Sequence, residues 1–202
     1  MFHKTQPRDA AGASQSYSYR REMTLEERLA EERILFLWGE IGPSNAGSII
    51  MRLLELQAKG PNREIHMYIN SPGGYVDDTL AIYDTMQFVS CPISTYCIGQ
   101  AASGAAIVLA AGSKGKRYAL PHSKIMIHQP LGGITGQASD IKIQAEEILR
   151  SKAQLNEILA HHTGRAIDQI AADTERDRFL TPQMAIEYGL VDEIVAAETI
   201  KK

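Results

Sequence analysis

Short runs of apolar residues alternate along this chain with longer stretches in which apolar positions recur every three or four residues. Thr24 with Glu27 makes a capping box for a short helix through about Glu32, and "ILFLWGEI", from Ile34, reads as a buried strand. Ser44 is placed to cap a second helix, whose apolar residues Ile49, Ile50, Leu53, Leu54 and Leu56 share one face and which ends at Gly60. After it come the strand "EIHMYIN", a helix near "DDTLAIYDTMQFV", the strand "ISTYCIG", a small-residue segment around Ser103 and the strand "KIMIHQP". Strand and helix units alternating at this length predict an α/β domain with a mostly parallel sheet.

One helix exceeds the others. From about Ser139 to His162, the residues Ile141, Ala145, Ile148, Leu149, Leu155, Ile158 and Leu159 recur at helical spacing, and Gly164 closes the run. At 1.5 Å per residue such a helix extends about 36 Å, more than a domain of this size covers. It reads as a long surface helix or as an element of self-association.

Composition narrows the classes. With 202 residues, 44% hydrophobic and 22% charged, the chain is long enough for one substantial core. A net charge of -3 gives no basic footprint for nucleic acid. Cys91 and Cys97 fit neither a disulfide framework nor a metal-binding pair, and read as buried free thiols in a reducing cytosol. His161 and His162 are neighbours on different sides of a helix, and His66 and His122 lack an acidic or thiol cluster, so no metal site is expected. Residues 1–22 are polar and aperiodic, without a secretory pattern, and read as a flexible arm or leader ahead of a domain spanning 23–202. No run reaches the roughly 20 apolar residues of a membrane span, so the expected location is cytoplasmic.

The candidate chemistry begins with "IGQAASGAAIVLAAG", in which Ser103 is the one hydroxyl. A serine between a strand and the front of a small-residue helix is suited to nucleophilic attack, since unpaired backbone N–H groups favour developing negative charge; taken by itself, the segment reads first as helix packing through small residues. His128, near the end of "KIMIHQP", is delivered to the rim of the sheet, or is a satisfied core residue. Asp177 precedes the helix start Thr181-Pro182 on a loop, where it reads as an imidazole-orienting carboxylate or a solvated acid. In "INSPGGYV", Gly73 and Gly74 form a tight turn or present a backbone donor to an oxyanion. Neither a dinucleotide fingerprint nor a G-x-S-x-G elbow is present.

Taken in order, "YINSPGG", "YDTMQF", "GQAAS", "GKRYALPHS", "MIHQPLGG", "GQASDI", "TERDRFLTP" and "EYGLVD" resemble the proteolytic subunit of the Clp protease, the ClpP family, from about Thr24 to Ile194. The resemblance implies a crotonase-like α/β fold of repeated ββα units with a protruding handle helix. It implies a serine endopeptidase in which Ser103, His128 and Asp177 are nucleophile, base and orienting acid, with the N–H groups of Gly74 and Gly104 as the oxyanion hole. "GGYV" and "PLGG" would clasp extended substrate by strand addition. The family forms two stacked heptameric rings, a tetradecamer, and takes unfolded protein from an AAA+ ATPase, which uses the ATP; the peptidase itself needs no cofactor. Tyr68, Phe88, Tyr96, Ile98, Tyr118 and Leu120 occupy the docking positions for that ATPase, and residues 1–22 correspond to leader and axial-loop segments.

Two departures stand out. Gly104 occupies a position where the family usually has methionine, which predicts a less restrained oxyanion donor, and Asp77 and Asp78 stand beside the substrate turn where neutral residues are commoner. Both features resemble second-copy subunits. The alternatives are therefore a weakly active or scaffolding member of a mixed ring, or an acyl-CoA enzyme of crotonase type.

Overall fold

The first helix forms where its capping box predicts. In the computed structural model, which describes residues 23–196, Thr24 Oγ1 accepts from the Glu27 N–H at 3.2 Å and the Glu27 carboxylate accepts from the Thr24 N–H at 2.8 Å, opening α1 (Leu25–Glu31). The strand β1 (Ile34–Trp38) is buried on one face only. Leu35 and Leu37 enter the core while Phe36 and Trp38 stay exposed, so the expectation of a buried strand holds for alternate residues.

Gly42, not Ser44, caps α2 (Pro43–Lys59). Pro43 takes the first helical position, where its missing N–H is no loss, and Asn45 Oδ1 accepts from the Gly42 N–H at 2.9 Å. Ile49, Leu53 and Leu56 are buried as expected, whereas Leu54 is exposed. The chain continues through β2 (Ile65–Ser71), α3 (Val76–Phe88), β3 (Ile93–Ala102), α4 (Gly104–Ala110), β4 (Arg117–Ala119) and β5 (Lys124–Ile127). It ends with α5 (Ala138–Thr163), α6 (Ile167–Asp173), β6 (Arg178–Leu180), α7 (Pro182–Tyr188) and β7 (Glu193–Ile194). The sequence reading anticipated α7 from Thr181, whose hydroxyl accepts from the Met184 N–H, but not the short strands β4, β6 and β7.

The described strands form one sheet in the order β1-β2-β3-β4-β7, with β5 pairing both β3 and β6. Every pairing is parallel except that of β5 with β6, as the α/β pattern predicts. β3 serves two partners in succession: Thr95–Cys97 pairs with β4 and Gln100–Ala102 pairs with β5. Between them Gly99 turns at φ +85°, and the Asn70 carboxamide, which accepts from the Gln100 N–H at 3.3 Å, fills the space a Cβ would need. This fork separates β5 from the rest of the sheet and delivers Ser103 at its opening.

Behind the fork, Ala105 to Ala110 of α4 are all buried against Met67, Ile69, Ile93 and Ile125 in one core. Among the described residues, those of the long helix α5 that are buried lie toward its C-terminal end, Leu155, Asn156, Ile158 and Leu159, and Gly164 closes it in the left-handed conformation expected. At 1.5 Å per residue its 26 residues extend about 39 Å, so the first half projects beyond the core. Arg117 fastens the packed end: buried, it donates to Asp192, to the His162 carbonyl at 3.0 Å and to the Gly189 carbonyl at 2.8 Å. Burial pushes the Asp192 carboxyl up, but the hydrogen bonds from the Arg117 side chain and backbone outweigh it and hold the group below its ordinary value.

Residues 1–22, read from sequence as an arm or leader, lie outside the described residues. Among the described residues no helix is long and apolar enough to cross a membrane.

Candidate active site

Strand pairing, more than any local motif, assembles the site. β5 is its fulcrum. On one side the parallel pairing with β3 carries Ala102 to Met126, and the next residue, Ser103, donates its N–H to the Met126 carbonyl at 2.8 Å. On the other side the antiparallel pairing joins Ile125 to Leu180, Met126 to Phe179 and Ile127 to Arg178, so the next pair in register is His128 with Asp177. Two further bonds hold that extension: the Gln129 N–H donates to the Thr174 carbonyl at 2.6 Å and Gln129 Nε2 to the Glu175 carbonyl at 2.8 Å.

The side chains meet accordingly. Ser103 Oγ lies 2.8 Å from His128 Nε2, and His128 Nδ1 lies 2.9 Å from Asp177 Oδ1. A carboxylate accepts only, so Nδ1 carries the proton it donates to Asp177, which leaves Nε2 to accept from the serine hydroxyl. The His128 side chain is 12% exposed and that of Asp177 59%. Ser103 and His128 are thus fixed by buried strands, and Asp177 stands at the edge of water.

Ser103 adopts φ 55° and ψ −125°, a conformation that non-glycine residues rarely hold. Its backbone N–H donation to Met126, and its carbonyl's acceptance from Ala106 at 2.9 Å, restrain it on both sides. The turn Pro72-Gly73-Gly74 presses against it. A Cβ on Gly73 would fall 2.7 Å from Ser103 Cβ and 2.9 Å from the Gly104 nitrogen, and one on Gly74 would fall 2.0 Å from the Ile41 carbonyl oxygen. Both glycines are therefore required by close approach of backbone to backbone. Gly74 forms a parallel bridge with Ile41, in which Ile41 donates to Gly73 and Tyr75 donates to Ile41. Among the described residues neither the Gly74 N–H nor the Gly104 N–H has a hydrogen-bond acceptor.

A cleft of about 820 Å³ opens beside Ser103 and His128. Buried Ile107, Ile127, Leu155 and Leu159 are among its lining residues, as is Leu131 of the "PLGG" segment, which is 85% exposed. Asp77 lines this cleft; Asp78 does not. Both lie in the first turn of α3, where carboxylates are favoured by the helix dipole.

The six residues singled out for docking occupy a different part of the surface. Tyr68, Tyr96 and Tyr118 are in register on β2, β3 and β4 and stack with ring centroids 4.6 Å and 4.9 Å apart. They lie on the face of the sheet away from the core. Phe36 of β1 extends the row, 5.7 Å from Tyr68, and went unnoticed in the sequence because "ILFLW" reads as a buried run. Ile98 is half-buried, while Phe88 on the last turn of α3 and Leu120 are exposed, the Leu120 N–H donating to the Cys97 carbonyl at 3.0 Å.

The model of a family described as Clp protease matches residues 17–198. The chain is also similar to a protein of Rhodopirellula baltica named ATP-dependent Clp protease proteolytic subunit 1, at 56% identity over 185 residues, covering 92% of this chain and 82% of the relative.

Proposed function

Since the chain belongs to the Clp protease family of serine peptidases, we propose that Ser103, His128 and Asp177 are the triad with which it hydrolyses peptide bonds. The observation that carries this reading is the unbroken contact from Ser103 Oγ through His128 to Asp177, with both distances under 3 Å. Ser103 Oγ attacks the scissile carbonyl while His128 Nε2 takes its proton. His128 then returns the proton to the leaving amine, and a water attacks the acyl-serine by the same route in reverse. Asp177 holds the tautomer and stabilises the imidazolium. The unpaired N–H groups of Gly74 and Gly104 are the donors for the tetrahedral oxyanion, each worth about 3 kcal/mol in the transition state. Nucleophile, base, orienting acid and donors all come from this chain, so the hydrolysis proposed here draws on no cofactor.

The substrate in this reading is unfolded polypeptide, bound extended between "GGYV" and "PLGG" by main-chain hydrogen bonds. Exposed Tyr75 and Leu131 on those segments support it. An AAA+ Clp ATPase delivers that chain at the cost of ATP, docking on the stacked row of Tyr68, Tyr96 and Tyr118 with Phe88, Ile98 and Leu120; Phe36 joins the same surface. Exposed Ile143 and Leu149 on α5 support assembly through that helix into two stacked heptameric rings, of one subunit type or mixed. Two free buried cysteines are in keeping with a cytoplasmic location. A purely scaffolding subunit has no need of the Ser103–His128–Asp177 contacts, and an acyl-CoA enzyme has no need of the serine.

The test is covalent. A fluorophosphonate should label the wild-type protein at Ser103 alone, and Ser103→Ala should abolish both labelling and cleavage of short peptides while the assembly, followed by native mass spectrometry, stays intact. Peptide cleavage by Ser103→Ala at the wild-type rate would refute the mechanism.

A further inference from the structure

Gly104 follows the nucleophile directly, and Thr79 lies nearest to the space its missing side chain would occupy. A Cβ on Gly104 would lie 2.3 Å from Thr79 Oγ1, 3.1 Å from its Cγ2 and 3.2 Å from its Cβ, and these are the three nearest atoms beyond its own helix. Thr79, in the second turn of α3, is 1% exposed. Its hydroxyl donates to the Tyr75 carbonyl at 2.9 Å, and its N–H donates to the same oxygen at 3.0 Å. A β-branched side chain in a helix has few rotamers, and this bond selects one. Thr79 therefore presents its methyl and hydroxyl to Gly104 in a fixed place.

The same side chain is tied to the facing segment. Tyr75 follows Gly74, and its own N–H is held by the Ile41 carbonyl at 3.0 Å. Thr79 thus grips the glycine turn through the Tyr75 carbonyl and abuts the Gly104 backbone through van der Waals contact. These are the two segments whose unpaired N–H groups flank the nucleophile. A methionine at this position would overlap Thr79, so α3 occupies the space that a side chain at Gly104 would fill.

We propose that Thr79 is a positioning residue for hydrolysis, filling the place of the side chain that Gly104 lacks and setting the spacing between the Gly74 and Gly104 N–H groups. The proposal rests on the reading of those amides as oxyanion donors. Two consequences follow from the packing. Thr79→Gly frees the Gly104 segment, and Gly104→Ala pushes it off Thr79, so each alone displaces a donor. The double variant Thr79→Gly/Gly104→Ala removes the overlap and refills the space from the other side, since all three close atoms belong to the threonine side chain.

The experiment compares a peptide ester with the thionoester of the same sequence, using the full-length protein in its assembled form. Sulfur is the larger and weaker acceptor, so well-placed amide donors favour the ester. Wild type should therefore hydrolyse the ester much faster than the thionoester. Thr79→Gly and Gly104→Ala should each lower kcat for the ester on the order of tenfold to a hundredfold, the cost of a misplaced catalytic group, with KM little changed and the ester preference compressed. The double variant should regain most of both. Thr79→Ser, which keeps the hydroxyl bond to Tyr75, should lie between wild type and Thr79→Gly, and with the double variant it carries the test if a single variant does not fold. If Thr79→Gly lowers the Tm but the assembled enzyme keeps the wild-type kcat and ester preference, or if the double variant is no better than the singles, the proposal is overturned. A wild-type enzyme that shows no ester preference instead overturns the oxyanion reading itself, before Thr79 is altered.

Discussion

The aliphatic residues of α4 and those of the outer half of α5 meet opposite surroundings. Ala105 to Ala110 of α4 are all buried, with Leu109 and Val108 wholly so, while Ile143 and Leu149 of α5 are 65% and 64% exposed. The first helix is finished by this chain alone: sheet, α3 and the packed end of α5 cover it on every side. The second extends past the core that the described residues form. A nucleophile needs the first kind of setting, because a serine held at an unfavourable φ requires rigid neighbours. An assembly element needs the second. The cleft lies at their junction, lined by Ser103 and Ile107 from the α4 side and by Ile148 and Leu155 from α5.

The largest effect should therefore come from truncation beneath the serine. Leu109→Ala removes a fully buried side chain from the layer that supports Ser103, and should cost about 2 to 5 kcal/mol of folding stability. Leu149→Ala, a truncation of the same size on the outer half of α5, should change the stability of the isolated subunit by no more than about 0.5 kcal/mol. Urea unfolding of the two variants under dissociating conditions checks the pair. Equal losses would mean that α5 is covered within one chain after all, and would erase the contrast.

How far the contrast could be seen in the sequence depends on what each feature required. Thr24 with Glu27, Thr181 with Pro182, and Gly164 are local signals, and each marks a helix boundary in the structure. Ser44 misled because Pro43 fixes the helix start two residues earlier, and sequence alone does not say which of two nearby caps wins. Ser103, His128 and Asp177 were identifiable by type, order and resemblance. What brings them together was not, since it depends on the register of a four-residue and a three-residue strand whose pairing no local pattern specifies. Phe36 and Thr79 were missed for the same reason. One joins its row across three strand pairings, and the other fills a space defined by a glycine on a different helix.

A smaller effect, on association alone, sharpens the contrast from the other side. Ile143→Lys with Leu149→Lys puts two charges on the projecting face without touching the packed end of α5. The subunit should fold as before, with unchanged near-ultraviolet circular dichroism, while sedimentation shows the assembly shifted toward smaller species. Intact assembly of the double variant would assign association to another surface.

The smallest effect belongs to the packed end of α5, where His162 is half-buried between Tyr83 and Arg117. Its Nε2 lies 3.2 Å from the Tyr83 hydroxyl, and burial, reinforced by the neighbouring His161 and Arg117, pushes its pKa down to about 4. An unfolded histidine titrates near 6.5. Between about pH 6.5 and about pH 4 the unfolded chain therefore binds a proton at this position that the folded chain does not, so protonation draws the equilibrium toward unfolding. The stability associated with neutral His162 is complete above about pH 6.5 and declines as the pH falls through that window. His162→Gln retains a hydrogen-bonding side chain and cannot titrate. Carboxylates such as Asp192, held below their ordinary values, also destabilise the fold at acid pH, but they do so in both proteins. The informative quantity is thus the difference in Tm between wild type and His162→Gln, which should be largest near pH 7 and should shift in favour of the variant as the pH is lowered to about 4. A difference that stays constant across this range would show that His162 titrates alike in the folded and unfolded chains, and that the base of α5 is more open to water than its contacts with Tyr83 and Arg117 imply.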